Sequence, residues 1–152
     1  MDLILWRHAE AEEGEPDAKR VLTPKGQKQA RRMAEWLTSQ LPDSCKILVS
    51  PAVRTLQTAE PLGRKFKVVP ELAPGASAEA VLQAANWPNA KEAVLIVGHQ
   101  PTLGLVAAKL LAGEQQYWNI KKAGAWWIAQ RDPDDPESLY LKAVMGPDLI
   151  VK

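Results

Sequence analysis

Short apolar, β-prone runs alternate along this chain with longer segments of helical periodicity, and that alternation restricts the fold more than any other feature. Leu3–Trp6 reads as a strand. Glu10–Arg20 is acidic and irregular, with Gly14 and Pro16, and reads as a loop. Thr23-Pro24 opens a helix, because threonine caps a helix start and proline suits its first position. Within it Ala30, Met33, Ala34, Leu37 and Leu41 recur at helical spacing, while Lys28, Arg31, Arg32 and Glu35 face out. Pro42 ends it. Ile47–Val49 reads as a second strand. Ser50-Pro51 starts a second helix, running to about Arg64. Phe66–Val69 is a short third strand, and Ser77 caps a helix from about Ala78 to Asn86. Ala93–Val97 is the most continuous apolar strand, which predicts a central position. Pro101 opens a helix through about Ala112. Gly124–Gln130 and Leu139–Val144 form a strand pair joined by the polar turn Asp132–Glu137. Pro133 and Pro136 keep that turn out of any ladder.

This order predicts an α/β fold: a three-layer α/β/α sandwich with a mainly parallel sheet and helices on both faces. A chain of 152 residues is expected to form one domain, 1–152, with a real core. The pairs Trp126-Trp127 and Tyr117-Trp118 read as core and edge packing. A net charge of +1 gives no overall bias toward nucleic acid or membrane. The single cysteine, Cys45, rules out an internal disulfide framework and fits a reducing compartment. It heads the apolar run KILVS and reads as a buried, inert thiol. No secretory leader is visible, and no stretch approaches the ~18 apolar residues of a membrane span. The expected location is the cytoplasm.

The chemistry lies with the two histidines. His8 closes LILWRH and His99 closes AVLIVGH, so both belong at the carboxyl end of a strand. In open α/β sheets that edge is where ligands bind. Arg7 precedes His8, and Arg54 lies in the first turn after Pro51, where it should point out over the strand ends. Arginine presents a rigid fork of donors that matches phosphate oxygens two at a time. Helix N-termini after Pro51 and Pro101 add amides and partial positive charge. Such a pocket selects a tetrahedral dianion.

No G-x-S-x-G turn is present, and no H-E-x-x-H or paired cysteines accompany the histidines. Neither a metal nor any other cofactor is expected, since flanking arginines repel a cation. A neutral imidazole can attack phosphorus and form a covalent phosphoryl-histidine. Repulsion from the arginines should keep His8 neutral. His99 can donate a hydrogen bond to the transferring group. Gln57 and Thr58, one turn after Arg54, are secondary candidates, Gln57 for substrate binding. Glu10, Glu12 and Glu13 read as a solvated loop.

The run LILWRHAEAE, with LTPKGQKQA, SPAVRTLQTAE and VGHQP following in order, resembles the histidine phosphatase superfamily, also called the phosphoglycerate mutase-like fold. The resemblance covers about Leu3 to Leu111. It implies that His8 is the phosphorylated nucleophile, and that Arg7, Arg54 and His99 are the other three members of the site. The short length, and Ala9 where most members have glycine, resemble the SixA-type phosphohistidine phosphatase branch. Many family members carry a glutamate general acid after the third strand. Here that stretch is PELAPGAS, with Pro74 at the expected place and Glu71 earlier.

An alkoxide leaves poorly without protonation, and a general acid typically contributes ~10²–10⁴-fold. A phosphohistidine has a labile P–N bond, so a site without a dedicated acid suits it better. The expected partner is therefore a phosphohistidine-bearing signalling protein. The alternatives are a small-molecule phosphomonoesterase using Glu71 or Glu10, and a phosphoprotein-binding module without turnover. A mutase is disfavoured, since no lid or acid is evident.

Overall fold

The structure, a computed structural model, describes residues 1–150; the last two residues of the expected 1–152 domain lie outside the described residues. Alternation within the first strand sets the layering, because successive strand side chains point to opposite faces. In β1 (Asp2–Arg7), Ile4 and Trp6 join one core and Leu3 and Leu5 the other. The Ile4 face is covered by α1 (Pro24–Gln40) and α2 (Val53–Ala59), through Ala30, Met33, Leu37 and Ala59. The Leu3 face is covered by α3 (Ala78–Ala84) and α4 (Thr102–Ala112), through Val81, Leu103 and Val106. The fold is therefore the three-layer sandwich the alternation predicts.

The remaining strands are β2 (Lys46–Val49), β3 (Lys67–Val68), β4 (Val94–Gly98), β5 (Ala125–Gln130) and β6 (Leu139–Met145). Their order is β3-β2-β4-β1-β5-β6. The first four in that order are parallel, whereas β5 runs antiparallel to both β1 and β6. β4 is buried along its whole length and lies between β2 and β1, as its unbroken apolar run predicts. Among the described residues no helix is long and apolar enough to cross a membrane.

Some boundaries differ from those expected, each for a local reason. Ser50-Pro51 does not start α2. Ala52 is still extended, and the Ser50 hydroxyl accepts only from the Ala52 amide and meets His99, so it caps no amide within the helix. The helix stops at Ala59 rather than near Arg64, because Pro61 has no N–H to give the Gln57 carbonyl. A 3₁₀ turn over Glu60–Leu62 follows, closed by Gly63 at a φ of 64°. The helix α3 ends before Asn86, which adopts a left-handed φ of 54°. β3 shrinks to two exposed residues on the sheet edge. Of the aromatic pairs, Trp127 is core and Trp118 meets Trp126 with ring centroids 6.0 Å apart. Tyr117 packs against little: it is 83% exposed. Cys45 is half-buried, and desolvation pushes its thiol up to about 11, which keeps it protonated and unreactive.

The start of α1 is fastened to the chain that follows β1. Thr23 Oγ1 accepts from the Gly26 amide at 2.9 Å and donates to the Glu10 carboxylate at 2.8 Å. The Thr23 amide donates to the Glu10 carbonyl at 3.0 Å. Gly26 lies so close to that carbonyl that a Cβ would overlap the oxygen. Helix propensity favours alanine over glycine by ~1 kcal/mol, but overpacking against backbone costs about 1–3 kcal/mol or more. The clash wins. Gly26→Ala should lower unfolding stability by about 2 kcal/mol, read from the denaturant midpoint. An unchanged or raised midpoint would contradict this packing.

Candidate active site

Register places the site. β1 pairs with β4 so that Arg7 lies opposite Gly98, and the His8 amide donates to the Gly98 carbonyl at 3.1 Å. The next residue of each strand is a histidine. The two imidazoles leave the sheet side by side, with ring centroids 5.3 Å apart and planes tilted by 56°. β2 adds a third exit. Val49 pairs with Val97, the Ser50 amide donates to the Val97 carbonyl at 3.1 Å, and Ser50 Oγ lies 2.7 Å from His99 Nε2. Ser50 was expected only as a helix cap. The rule that singled out the histidines, a polar residue directly after a buried strand, applies to it equally.

Hydrogen bonding decides which nitrogen of His8 keeps its lone pair. Nδ1 lies 2.7 Å from the Ala9 carbonyl oxygen, which can only accept. Nδ1 therefore carries the proton of the neutral ring, and Nε2 keeps its lone pair. The ring is held neutral. Its pKa is lowered to about 4, first by burial, against the Ala9 carbonyl, which raises it, and then by the charges of Arg54, Arg7 and Arg20. This revises the expectation in one respect: arginine repulsion contributes, but desolvation is the larger cause. His99 is lowered further, to about 3, by burial and then by His8 and Arg54.

The arginines are held more tightly than the sequence implied. Arg54 is buried rather than reaching freely over the strand ends. Its Nη1 donates to the Asp17 carbonyl at 2.8 Å, and its Nη2 meets the Asp17 carboxylate at 3.0 Å. Asp17 also pairs with Arg20 at 3.1 Å, and the two guanidiniums hold its carboxyl below the ordinary value. Arg7 Nη1 donates to the Ile120 carbonyl at 2.8 Å. Both guanidiniums are thus gripped by one end. Arg7 Nε, Arg54 Nε and His99 Nδ1 are buried and have no hydrogen-bond partner among the described residues. Buried polar atoms left without a partner are uncommon, and three together mark a place built to receive another molecule's acceptors.

The secondary candidates separate. Thr58 Oγ1 accepts from the Ala9 amide at 3.0 Å and donates to the Arg54 carbonyl at 2.7 Å, so it ties the first motif to α2. Gln57 has another task from the one expected. Its side-chain oxygen accepts from the Leu22 amide at 2.7 Å, and it lines a separate groove with Leu22, Gln27 and Arg31. The Glu10 carboxylate is committed to Thr23, and Glu71 lies exposed on the turn after β3. Asp17 escaped the sequence reading altogether, since nothing local distinguishes it within an acidic loop. Among the described residues, no group of three or more His, Cys, Asp or Glu side chains is placed to hold a metal ion.

Known proteins resemble this chain in both sequence and fold. A family model, Histidine phosphatase superfamily (branch 1), matches residues 3–77. The phosphohistidine phosphatase SixA of Escherichia coli K12 is 34% identical over 124 residues, covering 75% of this chain and 76% of that protein. A solved structure of a protein histidine phosphatase SixA complexed with tungstate superposes with a TM-score of 0.76. It is 29% identical and covers 97% of this chain and 98% of that one. A phosphoserine phosphatase from Entamoeba histolytica shares the fold at a TM-score of 0.73 and 16% identity, covering 99% of each chain.

The pKa shifts carry a pH signature. A histidine ordinarily titrates at 6.5, and His8 and His99 titrate near 4 and 3 when folded. Between those values the unfolded chain binds more protons than the native one, so stability rises with pH there. The contribution of both rings is complete above 6.5, erodes as pH falls, and is lost once pH drops below 4 and 3. NMR titration of the free protein should show both rings neutral where an exposed histidine is already charged. Normal titration of either ring would contradict the burial argument. Replacing His8 by glutamine should make the loss of stability with acid shallower.

Proposed function

The chain belongs to the histidine phosphatase superfamily, and from that premise we propose that it removes phosphoryl groups from phosphohistidine on a partner protein. The reading treats the whole chain as one such domain. His8 Nε2 attacks phosphorus, the P–N bond to the substrate imidazole breaks, and the leaving nitrogen takes a proton from solvent. Water then attacks phospho-His8. A P–O bond forms, the bond to Nε2 breaks, and inorganic phosphate and neutral His8 are released with the water's remaining proton passed to solvent. Arg7 and Arg54 bind the phosphoryl oxygens through the edges the protein leaves unpaired. His99 donates from Nδ1 to the transferring group, while Ser50 Oγ, which already accepts from the Ala52 amide, donates a hydrogen bond to Nε2.

The observation that carries the reading is the state of His8: neutral, its proton held on Nδ1 by Ala9, Nε2 left with its lone pair, and its ring 5.3 Å from that of His99. A binding pocket gains nothing from a nucleophilic lone pair, since a charged imidazolium would hold phosphate more firmly. Two further points favour phosphohistidine over an alkyl phosphate. Glu10 is occupied and Glu71 is exposed, so neither is poised to protonate an alkoxide. The 34% identical relative is a phosphohistidine phosphatase by name, and the relative complexed with tungstate, a tetrahedral oxyanion, is named a protein histidine phosphatase.

Three measurements test this. His8→Ala should reduce hydrolysis of any phosphorylated substrate by at least about a thousandfold while leaving the fold intact. In the unaltered protein, brief exposure to substrate should leave an acid-labile phosphate on His8. Retained turnover in the variant removes the mechanism. A phosphohistidine peptide should also be hydrolysed ~10²–10⁴-fold faster than a simple sugar phosphate, the span of a missing general acid. Equal rates would favour a small-molecule phosphomonoesterase.

A further inference from the structure

A groove of about 520 Å³ opens beside Arg7, and its lining charge far exceeds what a phosphoryl group requires. Arg7, Lys25, Lys28, Arg32, Lys121 and Lys122 all line it. Only Glu10 and Asp148 oppose them, and the Glu10 carboxylate already receives the Thr23 hydroxyl. The whole chain, by contrast, is nearly balanced at +1. Among the described residues none of these lysines and arginines forms an ion pair. Like charges crowded on a concave surface repel one another and attract an anionic partner.

The two walls have separate origins. Lys25, Lys28 and Arg32 lie three and four residues apart on α1, so they share one exposed face of that helix. Lys121 and Lys122 sit on the segment that leads into β5. That segment is fixed to the active site at several points. The Ala123 amide donates to the His8 carbonyl at 3.0 Å, Trp6 Nε1 donates to the Ala123 carbonyl at 2.8 Å, and Arg7 reaches the Ile120 carbonyl. Arg7 therefore belongs to both the groove and the phosphoryl site. A larger cavity near Cys45 and Phe66 includes Lys46 and Val94, the first residues of β2 and β4. That is the sheet edge opposite the histidines, and a partner seated there cannot present its phosphoryl group to His8.

We infer that this groove docks an acidic protein surface flanking the phosphohistidine, so that charge around the modified residue selects the partner. The inference rests on the phosphohistidine reading above and specifies its substrate. Surface charge of this kind acts on encounter and on KM, and it is screened by salt within ~10 Å at 0.1 M ionic strength.

Two phosphohistidine peptides of equal length test it, one flanked by Asp and Glu and the other by Ser and Asn. At low salt kcat/KM should be about tenfold higher for the acidic peptide, and the preference should fade with added sodium chloride. Lys25→Glu/Lys28→Glu/Arg32→Glu should abolish the preference while turnover of phosphoramidate, which is too small to reach past Arg7 to the α1 wall, stays unchanged. Lys121→Gln/Lys122→Gln, on the opposite wall, should weaken it as well and guards against misfolding of the first variant. Equal rates for the two peptides, or a preference that survives both variants, overturn the docking role. Parallel loss of phosphoramidate turnover in both variants also overturns it, because the charges would then act on the phosphoryl site itself. Competition by duplex DNA stronger than by the acidic peptide would assign the groove to nucleic acid instead. Direct binding of the unphosphorylated peptides separates this inference from the one beneath it. If no phosphorylated substrate is turned over, the phosphatase reading fails, yet a salt-sensitive preference for the acidic peptide still supports the groove.

Discussion

The pairing of β1 with β4 is the constraint on which the site depends. With Arg7 opposite Gly98, the residues that follow are necessarily neighbours, and both are histidines. A slip of one residue would send the apolar side chains of β1 to the wrong faces, because the strand pleat has a period of two. The hydrophobic cores on both sides of the sheet therefore hold the two imidazoles at their separation. Stability and chemistry are coupled here through register, and no loop has to be trusted to bring the histidines together.

Burial then sets the reactivity of what register has placed. The same packing that hides His8 and His99 from water lowers their pKa values, with neighbouring cations adding to the effect. A neutral imidazole is what an electropositive, desolvated pocket favours, because both the nearby cations and burial disfavour its charged form. The pocket's cations sit on Arg7 and Arg54, because a guanidinium is the side chain that stays charged in proteins. Each arginine is anchored by part of its guanidinium and leaves Nε unpaired. Fixed positive charge and a neutral imidazole are thus assigned to different side chains. The groove beyond Arg7 extends the same electropositive field outward along α1.

Much of this was legible along the chain. The strand exits at His8 and His99 could be read because short apolar runs ending in a polar residue leave a local trace. The cap at Thr23 was legible for the same reason, with its proline at the next position. The misplaced start of α2 shows where such reading fails. Ser50 and Pro51 carry a helix-start signature, but the Ser50 hydroxyl bonds His99, a residue 49 positions away. Gln57 misled in a similar way. It lies one turn from Arg54, yet its carbonyl serves Leu22, 35 residues back along the chain. Asp17 left no trace, because an aspartate in an acidic loop looks like its neighbours until Arg54 closes on it.

What the sequence by itself determined is the alternation of elements, the layers they form, and the chemical identity of the groups delivered to one sheet edge. These follow from periodicity and from residue type, which are properties of the chain read locally. Only the tertiary structure decided how those groups are held: which nitrogen of His8 keeps its lone pair, which arginine is clasped by which loop, and which lysines share a groove. Such choices are made by partners distant in the chain, through hydrogen bonds of fixed direction and through desolvation. Neither has a local signature for a linear reading to find.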